Sequence, residues 1–476
     1  MAHAILRGHD PTRERRPTVN TWSPERVAEA AGARLLSARA AAGGPERVTI
    51  DSRDASPGAL FVGLVGENTD GGLFASQALA AGAWGVLTTA EHAENARKSG
   101  HFGAIMALED PLKALQNLAT AWRRHLGAKV IGVTGSTGKT TTKDLLLGLL
   151  RPHRRTVASR ANFNTEIGLP LEILNAPQET EVLVLEMGMR GAGQIAELAA
   201  IAEPDVAVIV SIGPVHLELL GTIEAVAAAK AELIAGLRAG GTAVVPAEGP
   251  LLEPHLRDDV TTVTFGATTG DVRLISVHDH GGGARVEIET PAGRIELDVP
   301  FTQAHLQRNL LAATAAAQAV GVTPHGRVEV VLSPGRGQRL ALPGGVTLID
   351  DCYNANPMSM QAALDDLRAT ASRHPGARQV AILGDMLELG PEERRFHEQI
   401  GAYATETHVD VLVTVGPRAA AMATRYDGEV HAADDAVAAA RIAAQLIEPG
   451  DVVLVKASRG VGLELVCKAM TDEVRV

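Results

Sequence analysis

The residues best suited to chemistry lie between Lys129 and Leu149, in the stretch KVIGVTGSTGKTTTKDLLLGL. This stretch predicts an apolar β-strand, a glycine-rich turn and a helix that opens on Lys139 and Thr140. Glycines let the backbone of such a turn approach anionic oxygens, and the N–H groups at a helix N-terminus attract negative charge. A lysine here can reach the β- and γ-phosphates of a nucleotide, and the next threonine can ligate Mg²⁺. The stretch therefore indicates phosphate binding, although Val133 stands where the usual phosphate-loop pattern has glycine.

Three further residues are candidates for chemistry beside this loop. Glu186 ends the apolar strand EVLVLE, and a carboxylate at such a strand end suits Mg²⁺, a hard cation that prefers oxygen. His216 follows the strand DVAVIVSIG, but a single histidine is more often structural than a ligand. Lys230 lies near the apolar stripe of the helix TIEAVAAAKAELIAGL, where burial would lower its pKa. Spacing alone favours the plainer interpretation of Lys230, a surface lysine paired with Glu232.

Polar residues also follow apolar strands in the last third of the chain, in LIDDCYNANPMSM, ILGDMLELG and VLVKASRG. The carboxyl ends of parallel strands meet at one edge of a sheet, so these residues predict a binding site there. The candidates are Asp350, Asp351, Asn354, Asn356, Asp385, Lys456 and Arg459; Ser211 follows a strand of the middle third. Ser52 and Arg53 follow a strand near the N-terminus, where an arginine suits a phosphate and equally suits an ordinary surface.

Composition limits the class of protein. With 476 residues the chain is too long for one core, and its 46% hydrophobic and 21% charged residues are typical of soluble globular proteins. The net charge of −12 argues against nucleic-acid binding. No apolar run reaches the roughly 20 residues of a membrane span. The two cysteines, Cys352 and Cys467, form no disulfide framework and suit a reducing cytoplasm. Residues 1–18 have no apolar signal-peptide core and predict a disordered tail.

The alternation of apolar strands with helices predicts an α/β protein of three domains. Residues 19–108 predict a small N-terminal α/β domain. Residues 109–320 predict a central phosphate-loop domain with a doubly wound, mostly parallel sheet, into which an antiparallel segment, residues 271–299, is inserted. Residues 321–476 predict a C-terminal Rossmann-like domain, because the strands VTLIDD, QVAILGD, VDVLVTVG and DVVLVKAS alternate with helices.

In this order, these segments resemble the Mur ligase family of ATP-dependent peptide-bond-forming enzymes, from about Val19 to the C-terminus. GVTGSTGKTTTK is similar to that family's shortened phosphate loop, which accounts for Val133. NFNTEIGLP, LEMGMRGAGQI, DDCYNANPMSM, ILGDMLELG and VLVKASRGVGLE resemble the members that use D-alanyl-D-alanine. The resemblance implies a ligase that joins D-alanyl-D-alanine to UDP-N-acetylmuramoyl-tripeptide through an acyl phosphate, with release of ADP and phosphate. Such an enzyme would be a cytoplasmic monomer of peptidoglycan biosynthesis, and so of cell shape and division.

The resemblance also implies a role for each candidate residue. ATP would contact Gly135, Ser136, Thr137, Gly138, Lys139, Thr140, Thr141, Asn309, Arg336 and Asp351. Thr140 and Glu186 would hold one Mg²⁺, while His216 and Lys230, the latter as its N-carbamate, would hold or orient a second. Lys139, Glu186, His216 and Lys230 would then be the catalytic set. The N-terminal domain would bind the UDP end through Ser52 and Arg53, and the peptide substrates would meet Asn162, Asn164, Asn354, Asn356, Asp385, Lys456 and Arg459.

The chain departs from the family pattern at Gly72, where histidine is usual, and at Ser211, where asparagine is usual. Ala304 and Leu306 replace a glycine and an asparagine before Asn309, and Ala457 replaces a glycine. Two alternatives stay open. One is a related ligase with a different amine, such as a folylpolyglutamate-type enzyme. The other is a phosphotransferase or nucleotide switch, because a phosphate loop alone does not specify the acceptor.

Overall fold

The computed structural model describes residues 21–39, 41, 43–160 and 162–472. These residues form 14 α-helices and 21 β-strands, and the strands lie in three sheets. The chain divides into two compact units: one runs up to Ala128 and resumes over Asn162–Leu183, and the other holds Lys129–Ala161 and Val184 onward. The predicted tail, residues 1–18, lies outside the described residues, and the three predicted domain boundaries stay predictions.

The first sheet has five strands and is covered by helices. Ser23 caps the first helix as its residue type predicts: its Oγ accepts a hydrogen bond from the Arg26 N–H at 3.4 Å, and Pro24 occupies the first turn. The strands are β1 Arg34–Arg39, β2 Arg47–Thr49, β3 Ala59–Val62, β4 Gly85–Thr89 and β5 Gly103–Leu108; the helices are α1 Pro24–Ala31, α2 Ala75–Ala80, α3 Ala90–Lys98 and α4 Pro111–Leu126. The strand order is β1-β5-β4-β3-β2, and only the β1–β5 pair among these is antiparallel.

The second sheet has ten strands. They are β6 Lys129–Thr134, β7 Thr156–Ala158, β8 Val182–Glu186, β9 Val206–Ile209, β10 Thr242–Pro246, β11 Thr261–Gly266, β12 Val272–His280, β13 Gly283–Thr290, β14 Gly293–Val299 and β15 Gly326–Arg327. The order is β15-β14-β13-β12-β11-β10-β9-β6-β8-β7. The predicted antiparallel segment is the β12–β13–β14 meander, and β12 pairs with β11, so it extends the central sheet. The helices here are α5 Lys139–Leu150, α7 Gln194–Ala202, α8 Leu217–Leu220, α9 Ile223–Ala235 and α10 Ala304–Ala319. The helix α6 Gly168–Leu174 lies between β7 and β8 in the chain but belongs to the first unit, where it contacts α4 and β2.

The third sheet has six strands, β16 Gln338–Ala341, β17 Thr347–Asp350, β18 Gln379–Gly384, β19 Val411–Val415, β20 Glu429–Ala433 and β21 Val452–Lys456. Its order is β16-β17-β21-β18-β19-β20, and all neighbours except β16 and β17 are parallel. The helices are α11 Pro357–Ala371, α12 Glu393–Glu406, α13 Ala436–Leu446 and α14 Glu464–Asp472.

Alternate residues of the third sheet enter two separate apolar cores. Ile349 and Leu454 pack with α11 and α12, whereas Leu348 and Val453 pack with α13 and α14. A sheet covered on both faces explains why its strands are continuously apolar. The predicted three-part α/β fold, with its Rossmann-like C-terminal sheet, is confirmed. Among the described residues, no helix is both long and apolar enough to cross a membrane.

Candidate active site

The phosphate loop joins β6 to α5, and two features require glycine at its last position. Gly138 has φ +80°, a left-handed backbone conformation that residues other than glycine seldom adopt. A Cβ at Gly138 would also lie 2.7 Å from Asn309 Oδ1 and 2.8 Å from Val210 Cγ1. This short distance shows that Asn309, a buried residue of α10, lies against the loop. The predicted loop and the asparagine that is predicted to contact ATP therefore lie side by side.

The loop is held by hydrogen bonds to the segment that follows β9. Ser136 Oγ donates to the Gly213 carbonyl at 3.0 Å, and the Ser136 N–H donates to the Ser211 carbonyl at 2.9 Å. Ser211 Oγ accepts from the Thr137 N–H at 2.9 Å and donates to the Thr137 carbonyl at 3.1 Å. Ser211, one of the departures from the family pattern, thus braces the loop through a short hydroxyl. Thr141, on the first turn of α5, is buried.

Three charged residues converge behind the loop. Lys139 Nζ donates to the Gly135 carbonyl at 2.7 Å. Burial lowers the pKa of Lys139; the Glu186 carboxylate opposes this shift and the Arg336 charge adds to it. Glu186 ends β8 and is only 3% exposed. A partly buried ammonium group and a buried carboxylate within electrostatic range suit the binding of a phosphate together with a cation.

Lys230 is almost fully buried, with 1% of its surface exposed. The interpretation from spacing alone, a surface lysine paired with Glu232, is wrong, because α9 packs against α7, α8 and strands β6 and β9. The Glu232 carboxylate instead accepts hydrogen bonds from the N–H groups of Gly193, at 2.7 Å, and Ala196, at 3.0 Å. Burial, and then the Lys139 charge, lower the pKa of Lys230 well below 10.5. Its amine is therefore more readily neutral, and hence nucleophilic, than an ordinary lysine amine.

His216 contacts a carboxylate that the sequence did not indicate. Its Nδ1 lies 2.5 Å from Glu388 Oε2, across 172 positions of the chain. Both residues adopt positive φ, +53° for His216 and +64° for Glu388. Hydrogen bonding to His216 lowers the pKa of Glu388. The sequence signals Glu388 only by its place in ILGDMLELG, four residues after the end of β18.

Arg336 connects the third sheet to the phosphate loop. Its Nη2 donates to Thr140 Oγ1 at 3.1 Å, and its guanidinium carbon lies 4.0 Å from the centre of the Tyr353 ring. Arg459 reaches the same ring at 5.1 Å. Arg336 Nε has no hydrogen-bond partner within the described part of the chain. The predicted nucleotide-binding arginine therefore touches the hydroxyl that is predicted to ligate Mg²⁺.

The polar ends of β17 and β21, two of the three predicted strand ends, lie together. Lys456 is 2% exposed, and its Nζ donates to Asp351 Oδ2 at 2.6 Å and to the Asn354 carbonyl at 2.9 Å. Asn356 caps α11 by accepting from the Ser359 N–H, and its Nδ2 donates to the Ser136 carbonyl at 3.4 Å.

Asp385 ends up with a different set of contacts. Its Oδ1 accepts from the N–H groups of Arg418, at 3.0 Å, and Ala419, at 2.7 Å. The carboxylate therefore anchors the turn after β19, and its predicted contact with a substrate stays a prediction.

The candidates in the first unit lie on and near short turns. Ser52 and Arg53 begin a single turn of 3₁₀-helix after β2, and the exposed Arg53 guanidinium binds the Asp51 carboxylate, with Nε 2.8 Å from Oδ1. Asn162 and Asn164 are partly buried and precede α6. Their roles as substrate contacts stay predictions.

Two departures from the family pattern have structural explanations. A Cβ at Gly72 would lie 2.3 Å from the His92 ring, so no larger side chain fits there. His92 occupies that space and its Nε2 lies 2.9 Å from Asp70 Oδ2. Ala457 is accommodated by Gly384, where an added Cβ would lie 2.7 Å from that of Ala457.

Three domain families match successive parts of this chain. "Mur ligase family, catalytic domain" matches residues 46–123, "Mur ligase middle domain" matches 133–317, and "Mur ligase, glutamate ligase domain" matches 335–459. The UDP-N-acetylmuramoyl-tripeptide--D-alanyl-D-alanine ligase of Bacillus subtilis is 36% identical over 438 residues, which cover 89% of this chain and 93% of that enzyme. The chain belongs to the Mur ligase family. The Escherichia coli ligase of the same name is 31% identical, over 90% of this Mur ligase and 94% of its own length.

Solved structures agree with this membership. MurF from Acinetobacter baumannii superposes with a TM-score of 0.82 at 27% identity, covering 95% of this Mur ligase and 99% of that chain. MurF ligase from Thermotoga maritima in complex with ADP gives a TM-score of 0.77 at 32% identity, covering 90% and 98%. The fold of all three sheets is thus that of known Mur ligases.

Proposed function

We propose that this Mur ligase joins D-alanyl-D-alanine to UDP-N-acetylmuramoyl-tripeptide, using ATP and releasing ADP and phosphate. The relatives that it matches over nearly their whole length bear the name of this reaction. A neighbour in structure is a ligase in complex with ADP. The product would be the pentapeptide precursor of peptidoglycan, and its synthesis would serve cell-wall growth, cell shape and division.

One observation carries the proposal. The third sheet contributes Arg336 to Thr140 Oγ1, at 3.1 Å, and Asn356 to the Ser136 carbonyl, at 3.4 Å. A phosphate on this loop would therefore face groups from two sheets at once. A nucleotide switch needs only the loop, whereas amide ligation needs a second surface that presents the amine to the activated carboxylate.

The chemistry follows from charges that the chain already holds. The terminal carboxylate of the tripeptide would attack the γ-phosphorus of ATP, the bond to ADP would break, and an acyl phosphate would form. The amine of D-alanyl-D-alanine would then attack the acyl carbon and expel phosphate. Lys139 would neutralise charge on the transferring phosphoryl group, and the loop N–H groups would orient it. Neither step requires a nucleophile from the protein.

The donors behind the loop fit Mg²⁺, which prefers oxygen. Thr140 and Glu186 would hold one ion, and His216 with a carbamate of Lys230 would hold or orient a second. The lowered pKa of Lys230 favours that carbamate, since CO₂ adds to an unprotonated amine. Bound Mg²⁺ would supply charge neutralisation to the phosphates.

Further assignments rest on the family pattern. Asn309, Asp351 and Arg336 would bind the nucleotide, and Ser52 with Arg53 would bind the UDP end of the acceptor. Asn162, Asn164, Asn354, Asn356, Asp385, Lys456 and Arg459 would serve the peptide substrates. We also propose a cytoplasmic monomer with domains at 19–108, 109–320 and 321–476.

The test is ADP release by the purified chain with Mg-ATP, UDP-N-acetylmuramoyl-tripeptide and D-alanyl-D-alanine, omitting each in turn. We expect release only with all three, together with a pentapeptide product in the mass spectrum. Release that ignores the dipeptide would overturn the proposal in favour of another amine or of phosphate transfer. The control is Lys98→Ala, which changes an exposed lysine on α3 and should release ADP as the wild type does.

A further inference from the structure

The chain of 476 residues has only two cysteines, and these two lie together. Cys352 follows β17 and Cys467 lies on α14, and each offers its Sγ beside a carboxylate oxygen of Asp350. These three atoms all lie within 4.8 Å of one another. Within the residues that the structure describes, no other group of three or more His, Cys, Asp or Glu side chains converges in this way.

The two thiols are buried, and the Asp350 carboxylate beside them is partly exposed. Cys352 is 6% exposed and Cys467 is 5% exposed, and both belong to the apolar core formed with α13 and α14. The Asp350 side chain is only partly buried, and its Oδ1 accepts a hydrogen bond from the Cys352 N–H at 3.3 Å. The site is therefore closed on the sulfur side, with its carboxylate nearer to solvent.

We propose that Asp350, Cys352 and Cys467 bind a thiophilic divalent cation of the Zn²⁺ class. In a tetrahedral zinc site with Zn–S bonds of about 2.3 Å, two sulfurs lie roughly 3.8 Å apart, which the observed cluster permits with little movement. Each thiol would lose its proton to solvent and donate a sulfur lone pair, the carboxylate would donate an oxygen lone pair, and water would complete the fourth position. Two protons would leave for each cation bound.

A cation explains the cluster better than a disulfide does. The Asp350 carboxylate brings a negative charge to within 4.8 Å of both sulfur atoms. A divalent cation would offset that negative charge directly. A disulfide would also leave the Asp350 carboxylate without any part in the site.

The proposed site lies next in sequence to residues that contact Lys456 and Arg336, yet it does not depend on the proposed ligase function. Cys352 stands between Asp351, which binds Lys456 at 2.6 Å, and Tyr353, whose ring contacts Arg336. Filling the site would tie the loop after β17 to α14. Metal uptake can be measured in the absence of every ligase substrate, so failure of either proposal leaves the other testable.

The experiment is a titration of the reduced, untagged full chain with Co²⁺, followed by displacement with Zn²⁺. We expect one Co²⁺ per chain with an intense thiolate-to-metal charge-transfer band, lost on addition of one equivalent of Zn²⁺. Cys467→Ser should abolish the band, and Asp350→Asn should weaken binding at least about tenfold. Asp472→Asn, an exposed acid on the same helix, should bind as the wild type does.

Proton release provides a second readout that does not depend on the folding of a variant. In a weakly buffered solution with a pH indicator, one Zn²⁺ should release about two protons from the wild-type chain. Absence of the band, or an equal band in Cys467→Ser, would overturn the site. So would a chain that takes up no Zn²⁺ after reduction and loses both thiols on mild oxidation, since that result would identify a disulfide pair.

Discussion

Lys230 shows how a single residue can acquire chemistry from its surroundings. The residue type alone does not distinguish Lys230 from a surface lysine. Only 1% of its surface is exposed, however, and the charge of Lys139 acts on it. Both influences disfavour the ammonium form. A neutral amine in this place can take up CO₂ and become an oxygen donor, whereas an ammonium cannot. The proposed role of Lys230 therefore depends on burial.

Replacing Lys230 by Ala should remove the proposed carbamate and most of the ligase activity. We expect a loss of at least about 100-fold in kcat, because charge next to the transferring phosphoryl group would be poorly neutralised. Short-chain carboxylates such as acetate should restore part of the rate by occupying the vacated space. Lys98→Ala should retain full activity and show no response to acetate. Wild-type activity in Lys230→Ala would exclude the carbamate.

The same residue predicts how stability changes with pH. The pKa of Lys230 is lowered in the folded chain, so between that value and 10.5 the unfolded chain binds a proton that the folded chain does not. The free energy of unfolding should therefore rise with pH across this window. Lys230→Met should flatten that rise, as measured by urea unfolding without CO₂ or Mg²⁺. Equal slopes in the two proteins would show that Lys230 is charged when folded.

At the scale of elements, the phosphate loop depends on Gly138, the residue that caps the N-terminus of α5. Gly138 and Gly193 both cap helices at positive φ, +80° before α5 and +85° before α7. A Cβ at Gly138 would meet Asn309 Oδ1 at 2.7 Å, whereas a Cβ at Gly193 would meet nothing within 4 Å. The two positions therefore share backbone strain and differ only in what surrounds them.

This pair permits a matched test. Both Gly138→Ala and Gly193→Ala should lose about 1–2 kcal/mol of stability from the left-handed backbone. Gly138→Ala should in addition displace Asn309 and raise the Kd for ATP at least about tenfold, as measured by calorimetry. Gly193→Ala should bind ATP as the wild type does. Equal ATP affinity in both variants would mean that the close approach of Asn309 is unimportant for binding.

Local elements are what the sequence predicts well. The loop of residues 135–141 and the polar ends of β17 and β21 could be predicted, because strand, turn and helix signals lie within a few residues of one another. The burial of Lys230 depends on how α9 packs against α7 and α8, and spacing pointed the other way. The Cys352–Cys467 pair likewise depends on segments more than a hundred residues apart. Such contacts are set by tertiary packing, which a single sequence does not reveal.

At the scale of the whole molecule, the second and third sheets share one site. Arg336 bonds to Thr140, Asn356 to the Ser136 carbonyl, and Glu388 to His216. In each case a loop at the carboxyl edge of the third sheet reaches a residue on or after a strand of the second. A movement of the third sheet away from the second would break these contacts together. We therefore expect cation affinity and the position of the third sheet to be coupled.

Glu388 provides the sharpest test of that coupling. A metal-binding histidine commonly donates its other ring N–H to a carboxylate, which fixes the tautomer and the ring orientation. Glu388 lies 2.5 Å from His216 Nδ1, so it would leave Nε2 free for the cation. Glu388→Ala should weaken Mn²⁺ binding by about 10–100-fold in the presence of ADP, as read from the free-Mn²⁺ signal in electron paramagnetic resonance.

Two comparisons separate this effect from a general loss of structure. Glu388→Gln keeps an acceptor oxygen for His216 and should retain an intermediate Mn²⁺ affinity, whereas a purely charge-based role would make it as weak as Glu388→Ala. Glu392→Ala, an exposed acid of the same loop paired with Arg395, should leave the affinity unchanged. Small-angle scattering should show compaction by Mg²⁺ and a non-hydrolysable ATP analogue in the wild type and less in Glu388→Ala. If Glu388→Ala binds Mn²⁺ and compacts like the wild type, His216 is oriented by other groups and the two sheets are not coupled through it.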